Sequence, residues 1–162
     1  INHKMKITLD QFKRFEKQII LKKIGIAGQK KIFESKVLII GVGGLGCPLL
    51  TYLAASGVGK IGLVDFDKVE LSNLNRQTLF SIGDIGKFKV EQAKKKIKKI
   101  NNKVKIIVFR KKLTSKNIIN IFNKFDIVCD GTDNFKTRYL INDYCRKNKK
   151  ILISAAISKF DG

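Results

Sequence analysis

The chain has 162 residues, 44% of them hydrophobic, and its 34 basic and 13 acidic side chains give a net charge of +21. One domain with a substantial core is expected at this length, and no apolar run approaches the roughly 18 residues of a membrane span. The three cysteines are dispersed and form no C-x-x-C pair. This argues against a disulfide framework or a zinc site in this stretch and favours a reducing, cytoplasmic setting.

The first predicted element is a helix over residues 9–24. Phe12, Phe15 and Ile19 recur there at helical spacing, and Asp10 is a candidate for the residue that caps its start. This helix precedes a segment whose pattern changes abruptly from helical spacing to a short apolar run. We therefore expect an N-terminal helix followed by the body of the domain.

Residues 36–67 are the most informative segment and read KVLIIGVGGLGCPLLTYLAASGVGKIGLVDFD. The opening apolar run predicts a strand buried on both faces, followed by a helix and a second strand. Gly41, Gly43 and Gly46 match the G-x-G-x-x-G spacing of loops that approach phosphates closely. Asp65 closes the second strand 19 residues after Gly46, where an acid that binds ribose is expected. Together these features predict a nucleotide-binding unit.

The second half of the chain alternates between strand and helix patterns. Residues 66–86 show no continuous pattern, and a loop of that length is usually functional or disordered. An amphipathic helix is predicted from residue 87. The remaining predicted elements are a strand at 104–109, a helix at 115–124, a strand at 126–130, a polar turn at 132–134, a helix at 135–148 and a strand at 151–156. The alternation predicts an α/β fold: a Rossmann-like, mainly parallel sheet with helices on both faces, preceded by the N-terminal helix.

Acidic residues and glycines coincide at the ends of the predicted strands. Ligands of such sheets bind outside the carboxyl ends of the strands. The groups expected there are the glycine loop, Asp65 with Asp67, and Asp130 with Asp133. Of these acids, we expect Asp67 to serve as a cap or turn residue and Asp130 to hold the following turn.

The glycine motif by itself also fits a nicotinamide-dependent dehydrogenase. The only histidine, His3, lies before Met5, the expected start, so the chain has no obvious acid for hydride transfer. The loop after Asp65 instead carries Arg76, and Lys89 follows on the next helix. Two cations and an acid that can hold magnesium suit a triphosphate better than a dinucleotide.

Five spaced motifs resemble the ThiF/MoeB/HesA family of adenylating enzymes, which is related to the ubiquitin-activating enzymes. They are RFEKQI from residue 14, GVGGLG from 41, DFDKVELSNLNRQTLF from 65, GKFKVEQA from 86 and DGTDNFKTRYLIND from 130. The resemblance runs from about residue 12 to residue 162. It implies ATP-dependent adenylation of the C-terminal glycine of a ubiquitin-like sulfur carrier ending in Gly-Gly, of the molybdopterin or thiamine type, with release of pyrophosphate. A terminal carboxylate is already ionised at pH 7, so this reaction needs no general base.

The resemblance also implies roles for individual residues. Contacts to ATP would come from Gly41, Gly43, Gly44 and Gly46 at the phosphates, Asp65 at the ribose, Asn73, Arg76 and Lys89 at the phosphates, and Asn134 beside the nucleotide. Asp133 would hold Mg²⁺. Arg14 would reach the other subunit's site across a homodimer, and the catalytic set would be Arg14, Arg76, Lys89 and Asp133. Zinc belongs to a later part of the family's chains, and no ligands for it occur in this stretch.

We expect residues 1–162 to form a single ATP-binding adenylation domain that is truncated at its C-terminal end, because the sequence stops directly after a strand-like run. The composition is rich in Lys, Ile and Asn, typical of an AT-rich genome, and the lysines show no aromatic residues interleaved for stacking on bases. Neither nucleic acid nor a membrane is therefore an expected partner. Two alternatives stay open: an NAD-dependent Rossmann oxidoreductase, and a non-catalytic module for ATP binding or dimerisation.

Overall fold

The computed structural model describes residues 7–157. Its strands are β1 (Lys36–Ile40), β2 (Lys60–Val64), β3 (Lys105–Phe109), β4 (Ile127–Asp130) and β5 (Ile151–Ser154). They form one sheet in the order β3-β2-β1-β4-β5, with every neighbouring pair parallel. The predicted parallel α/β sheet is confirmed.

The helices are α1 (Leu9–Ile19), α2 (Gly25–Glu34), α3 (Gly46–Ala55), α4 (Lys89–Ile100), α5 (Ile118–Phe122) and α6 (Phe135–Lys147). Alternate side chains of the strands point to opposite faces of the sheet. Ile39 therefore belongs to a core with Leu50 of α3 and Ile97 of α4. Leu38 belongs to a second core with Phe122 and Ile141, on α5 and α6. Helices thus cover both faces, as the sequence predicts.

The N-terminal segment differs from its prediction. The helix predicted to reach residue 24 ends at Ile19, and α2 follows after a turn. Thr8, not Asp10, caps α1: its hydroxyl accepts the Gln11 N–H at 3.2 Å, and Gln11 Oε1 accepts the Thr8 N–H at 2.9 Å. Apolar residues continue past Ile19, so spacing alone does not reveal the turn that folds α2 back onto α1.

Long-range polar contacts hold this helical pair in place. Gln18 Nε2 donates to Gln29 Oε1 at 2.9 Å, and both side-chain amides donate to the Ser56 carbonyl, at 3.1 and 3.0 Å. Gln29 is fully buried. The partners lie 11 and more residues apart in the chain, so the bend between α1 and α2 depends on contacts that no local pattern contains.

Helix α4 begins two residues later than predicted, at Lys89, and the segment before it contains two short 3₁₀ turns, Leu71–Asn73 and Ile82–Asp84. The sheet changes winding direction at β1, whose neighbours are β2 on one side and β4 on the other. Such a switch point leaves a crevice at the carboxyl ends of the strands, the usual place for a ligand. Within residues 7–157, no helix has both the length and the apolar character needed to cross a membrane.

Candidate functional site

The loop after β1 is shaped by two glycines that the fold requires. Gly41 has a φ of +86°, a left-handed conformation that L side chains rarely adopt. A Cβ on Gly46 would lie 2.0 Å from the Gly41 carbonyl oxygen, which is closer than any real contact. Gly41 and Gly46 therefore close the turn that leads from the strand into α3.

Gly43 and Gly44 are different, because the fold has room for side chains there. A Cβ on Gly43 would lie 3.8 Å from Gln77 Nε2, and one on Gly44 would lie 3.6 Å from the Arg76 side chain. Both distances are ordinary contacts. Among residues 7–157, no hydrogen bond engages the backbone N–H groups of residues 43–46. Four unpaired N–H groups at the start of α3 make a site for an anion.

Asp65 follows β2, and its carboxylate holds the glycine loop by a hydrogen bond. Its Oδ2 accepts the Val42 N–H and its Oδ1 accepts the Asp67 N–H, each at 2.8 Å. Burial raises the pKa of the Asp65 carboxyl, and these two hydrogen bonds and the nearby Lys89 charge offset only part of that effect. Two backbone N–H groups therefore hold the carboxylate beside the loop. Its oxygens keep lone pairs that can accept a hydrogen bond from a further donor.

Lys89 is buried, although spacing alone would put it on a solvated helix face. Its side chain is 8% exposed, and Nζ lies 3.4 Å from Oδ2 of Asp67, which is 51% exposed. The Lys89 backbone N–H also donates to the Asp67 carbonyl at 2.9 Å. Asp67, expected only to cap or turn the chain, thus pairs with the ammonium group through its side chain and fixes the start of α4 through its backbone carbonyl.

The loop between β2 and α4 contains the buried Asn73 and places Arg76 and Gln77 beside the glycines. Asn73 is buried and its Oδ1 accepts the Glu70 N–H at 3.3 Å. Arg76 donates from Nη1 to the Ser72 carbonyl at 3.0 Å, and its aliphatic stem lies over Gly44. Gln77, to which the sequence analysis assigns no role, is 3% exposed and lies beside Gly43. The one sequence signal for Gln77 is that it follows Arg76.

The turn after β4 contacts the glycine loop directly. A Cβ on Gly41 would lie 3.0 Å from the Gly131 carbonyl oxygen. Asp130 is buried, and its Oδ1 accepts the Thr132 N–H at 2.9 Å and the Thr132 hydroxyl at 2.7 Å. Arg138 Nε lies 3.7 Å from Asp130 Oδ2. Asp130 is thus engaged in holding this turn.

Asp133 and Asn134 follow in the same turn and are both exposed. Asn134 caps α6, because its Oδ1 accepts the Thr137 N–H at 2.9 Å. The Asp133 carboxylate has no hydrogen bond or ion pair with any other part of the chain that the structure describes. A pocket of about 500 Å³ opens beside Asn134, lined also by Leu113, Thr114 and Leu140.

Arg14 lies away from this edge of the sheet. Its Nη2 donates to the carbonyl of Ile100 at 2.6 Å, at the C-terminal end of α4. That end precedes β3, so it belongs to the amino edge of the parallel sheet. The loops at the carboxyl edge of the sheet therefore contain the glycines, Asp65, Asn73, Arg76, Lys89, Asp133 and Asn134, but not Arg14.

The cysteines are buried and free, and burial raises the pKa of each thiol, that of Cys47 to about 12. A thiol with so high a pKa is a packing group rather than a nucleophile at neutral pH. Among the described residues, no three His, Cys, Asp or Glu side chains are grouped as ligands for a metal ion. The chemistry available at the site is therefore that of oriented N–H groups, cations and single carboxylates.

The parallel sheet, the glycine loop at its switch point and the acid after β2 define a doubly wound α/β domain with an anion site. The chain belongs to the ThiF family, whose model matches residues 15–162. It is 46% identical to a probable molybdopterin-synthase adenylyltransferase of Porphyra purpurea, over 100% of this chain and 43% of that protein. It is 41% identical to a sulfur carrier protein adenylyltransferase of Thermus thermophilus, over 98% of this chain and 58% of that protein.

Solved structures show the same fold. The E. coli tRNA N6-threonylcarbamoyladenosine dehydratase TcdA in complex with ATP superposes with a TM-score of 0.86 at 26% identity, covering 93% of this chain and 61% of that chain. E. coli MccB with ATP gives a TM-score of 0.76 at 32% identity, covering 81% of this chain and 40% of that chain. The chain thus spans about half the length of the proteins it matches.

Proposed function

We propose that this chain is the nucleotide-binding part of an ATP-dependent adenylyltransferase acting on the C-terminal glycine of a ubiquitin-like sulfur carrier. The observation that carries this proposal is the set of four backbone N–H groups at residues 43–46, which have no partner in the part of the chain that the structure describes and are flanked by Arg76 and by the buried Lys89. Helix N-termini and oriented N–H groups bind phosphate, and two cations add the charge that a triphosphate needs. The names of the Porphyra and Thermus relatives support the reaction and the sulfur-carrier partner.

In the proposed reaction, an oxygen of the carrier's terminal carboxylate attacks the α-phosphorus of ATP. The bond from that phosphorus to the bridging oxygen breaks, and pyrophosphate leaves with the electron pair. No proton is transferred, because the attacking carboxylate is ionised at neutral pH. Lys89 and Arg76 neutralise charge on the phosphates, and Asp65 accepts a hydrogen bond from a ribose hydroxyl. Catalysis of this kind depends on position and on preorganised charge.

Mg²⁺ fits this arrangement at Asp133. Magnesium is usually held by one or two carboxylates together with substrate phosphates and water. The Asp133 carboxylate is exposed and free of partners among the described residues, whereas Asp130 is occupied by Thr132 and Arg138. Bound there, the ion would neutralise phosphate charge. Asp133 is thus the residue of this turn that we assign to the metal.

The test is carrier-dependent exchange of labelled pyrophosphate into ATP, measured with the full-length protein. Replacing Lys89 with Met removes the buried cation but keeps an apolar stem, and we expect exchange to fall about 100-fold or more. Lys95→Met is the matched control, because Lys95 is an exposed lysine of the same helix and should leave exchange unchanged.

Two other results would redirect the assignment. Tight binding of NAD without binding of ATP would replace the adenylation proposal with the oxidoreductase alternative. ATP binding without any exchange, in the presence of a carrier that ends in Gly-Gly, would identify a non-catalytic module. Calorimetric titration of ATP and NAD separates the first case from the second.

We also propose that the site is completed in a homodimer by Arg14 of a second copy. Support comes from the distance of Arg14 from its own chain's site, at the opposite edge of the sheet. Mixing an Arg14→Ala protein with a Lys89→Met protein tests this arrangement. A mixed dimer would hold one site with both groups, so exchange should recover. No recovery in a verified mixed dimer would show that Arg14 acts only on its own chain, as a cap on α4.

A further inference from the structure

Gln77 is a buried polar residue beside the glycine loop, and one atom of its side chain has no partner among residues 7–157. Its backbone N–H donates to the Asn73 carbonyl and its carbonyl accepts the Phe80 N–H, both at 2.9 Å. These bonds fix the residue between two turns of the loop. Its side chain is almost fully buried, and Oε1 has no donor among residues 7–157.

A buried amide oxygen without a partner is costly, and native structures contain few of them. Turning the Gln77 amide by half a revolution would exchange Oε1 and Nε2 without moving any other atom. In the observed orientation the donor, Nε2, faces Gly43, where an added Cβ would lie 3.8 Å away. In this orientation, Oε1 therefore has no partner while the donor Nε2 faces the glycine loop.

Gln77 and Arg76 are consecutive residues that lie over consecutive glycines, Gln77 over Gly43 and Arg76 over Gly44. Neither glycine is required by the fold, and the N–H groups of both are unpaired within the described chain. Gln77 Nε2 also makes no hydrogen bond within the described chain. Unlike Oε1, it retains some contact with solvent. The loop and the side chain that lies over it therefore offer three donors, and none of them has an acceptor within the described chain.

We infer that Gln77 binds phosphate: its Nε2 donates a hydrogen bond to a phosphate oxygen of ATP that lies over Gly43. This inference rests on the proposed function. With Nε2 toward Gly43, the side chain presents a donor to an anion over the loop, whereas the opposite orientation would present an acceptor. The unpaired oxygen lowers the stability of the fold, and the same orientation gives the site a donor of fixed direction.

The test compares Gln77→Met with the wild-type full-length protein, using calorimetric titration with ATP and with adenosine, and urea denaturation without ligand. Met keeps the length of the side chain and removes the buried acceptor. We expect the dissociation constant for ATP to rise about 10- to 100-fold, as for loss of a hydrogen bond to a charged group. Adenosine lacks phosphate and should bind equally well. The urea midpoint should be unchanged or higher.

Two further variants make the result specific. Gln77→Glu keeps the shape but replaces the donor with an acceptor of negative charge, so it should weaken ATP binding more than Gln77→Met does. Gln29→Met removes another fully buried glutamine, whose amide is hydrogen-bonded to Gln18 and Ser56. It should lower the urea midpoint and leave ATP binding unchanged.

Equal ATP affinity in the wild-type, Gln77→Met and Gln77→Glu proteins would overturn the inference while leaving the proposed function intact. A parallel loss of ATP and adenosine binding, together with a lower urea midpoint, would also overturn it, because that is the behaviour of a purely structural residue. Failure of the wild-type protein to bind ATP at all would instead overturn the proposed function on which the inference rests.

Discussion

The loop after β1 and the turn after β4 lie side by side at the carboxyl edge of the sheet, yet their polar groups are held in different ways. On the β1 side, Asp65 and Lys89 are buried and fixed by contacts of 2.8 to 3.4 Å. On the β4 side, Asp133 is exposed and has no partner within the described residues. In the proposed site, the β1 half is therefore formed in the absence of a ligand, and the β4 half would be completed by Mg²⁺ and the nucleotide.

The difference follows from what each half is proposed to hold. The glycine loop and the Lys89 ammonium group can be positioned in advance, because the fold holds them with the Val42–Asp65 hydrogen bond and the Lys89–Asp67 ion pair. Holding Asp65 beside the loop requires its carboxyl to be buried, and this burial raises its pKa because it disfavours the charged form. A magnesium ion bound between a carboxylate and a nucleotide needs no protein cage and keeps several waters, so an exposed acid is sufficient.

The largest expected effect comes from the loop after β1, where the fold leaves no room for a side chain at Gly46 but does at Gly44. Gly46→Ala places a Cβ 2.0 Å from the Gly41 carbonyl oxygen, so the turn between β1 and α3 must shift. We expect a loss of about 3 kcal/mol or more in the free energy of unfolding. Urea denaturation followed by circular dichroism measures it.

Gly44→Ala is the matched control within the same loop. Its Cβ would make an ordinary contact of 3.6 Å with Arg76, so stability should change by less than about 1 kcal/mol. ATP binding should nevertheless weaken, because the methyl group covers N–H groups proposed for phosphate. Equal stability loss in the two variants would mean that all the glycines are structural.

The next effect contrasts two acids of the β4 turn. Asp130→Asn disturbs the bonds to Thr132 and the pairing with Arg138, and we expect it to cost about 1–3 kcal/mol of stability. Asp133→Asn should change stability by less than about 0.5 kcal/mol and yet reduce pyrophosphate exchange. Thermal unfolding and exchange measured on the same samples distinguish them, and the reverse pattern would exchange the two roles.

The smallest expected effect concerns Asp84, in the loop between β2 and α4. Burial would raise the pKa of Asp84, but hydrogen bonds from Lys96 and Ser81 outweigh it and hold the pKa below its ordinary value of 3.8. A carboxyl with a lowered pKa in the folded state stabilises the protein above its unfolded pKa, and that contribution is lost as the pH falls through the folded pKa.

Asp84→Asn should therefore lower stability by about 1 kcal/mol at neutral pH, and the difference from wild type should shrink under acid conditions. Urea midpoints measured from pH 7 down to about pH 3 follow this change. Asp10→Asn, at an exposed acid of α1, should show no such pH-dependent difference. A difference that is constant across the series would assign the Asp84 effect to packing.

The sequence by itself determined the architecture and the centre of the site. Buried apolar runs such as 37–40, the glycine spacing at Gly41–Gly46 and the acid at Asp65 are local patterns, and strand–helix alternation restricts a sheet to few topologies. For these features the confirmed fold follows from residues close together in the chain. The same holds for the amphipathic helix that starts at Lys89.

Only the tertiary structure decided the rest, because burial and hydrogen-bond partners depend on residues that are far apart in the chain. Spacing places Lys89 on a helix face, but in the fold Lys89 is buried and paired with Asp67, 22 residues earlier. The break between α1 and α2 depends on Ser56, 38 residues beyond Gln18. Gln77 is a candidate phosphate ligand because the fold places its side chain beside Gly43, with its Oε1 unpaired among residues 7–157.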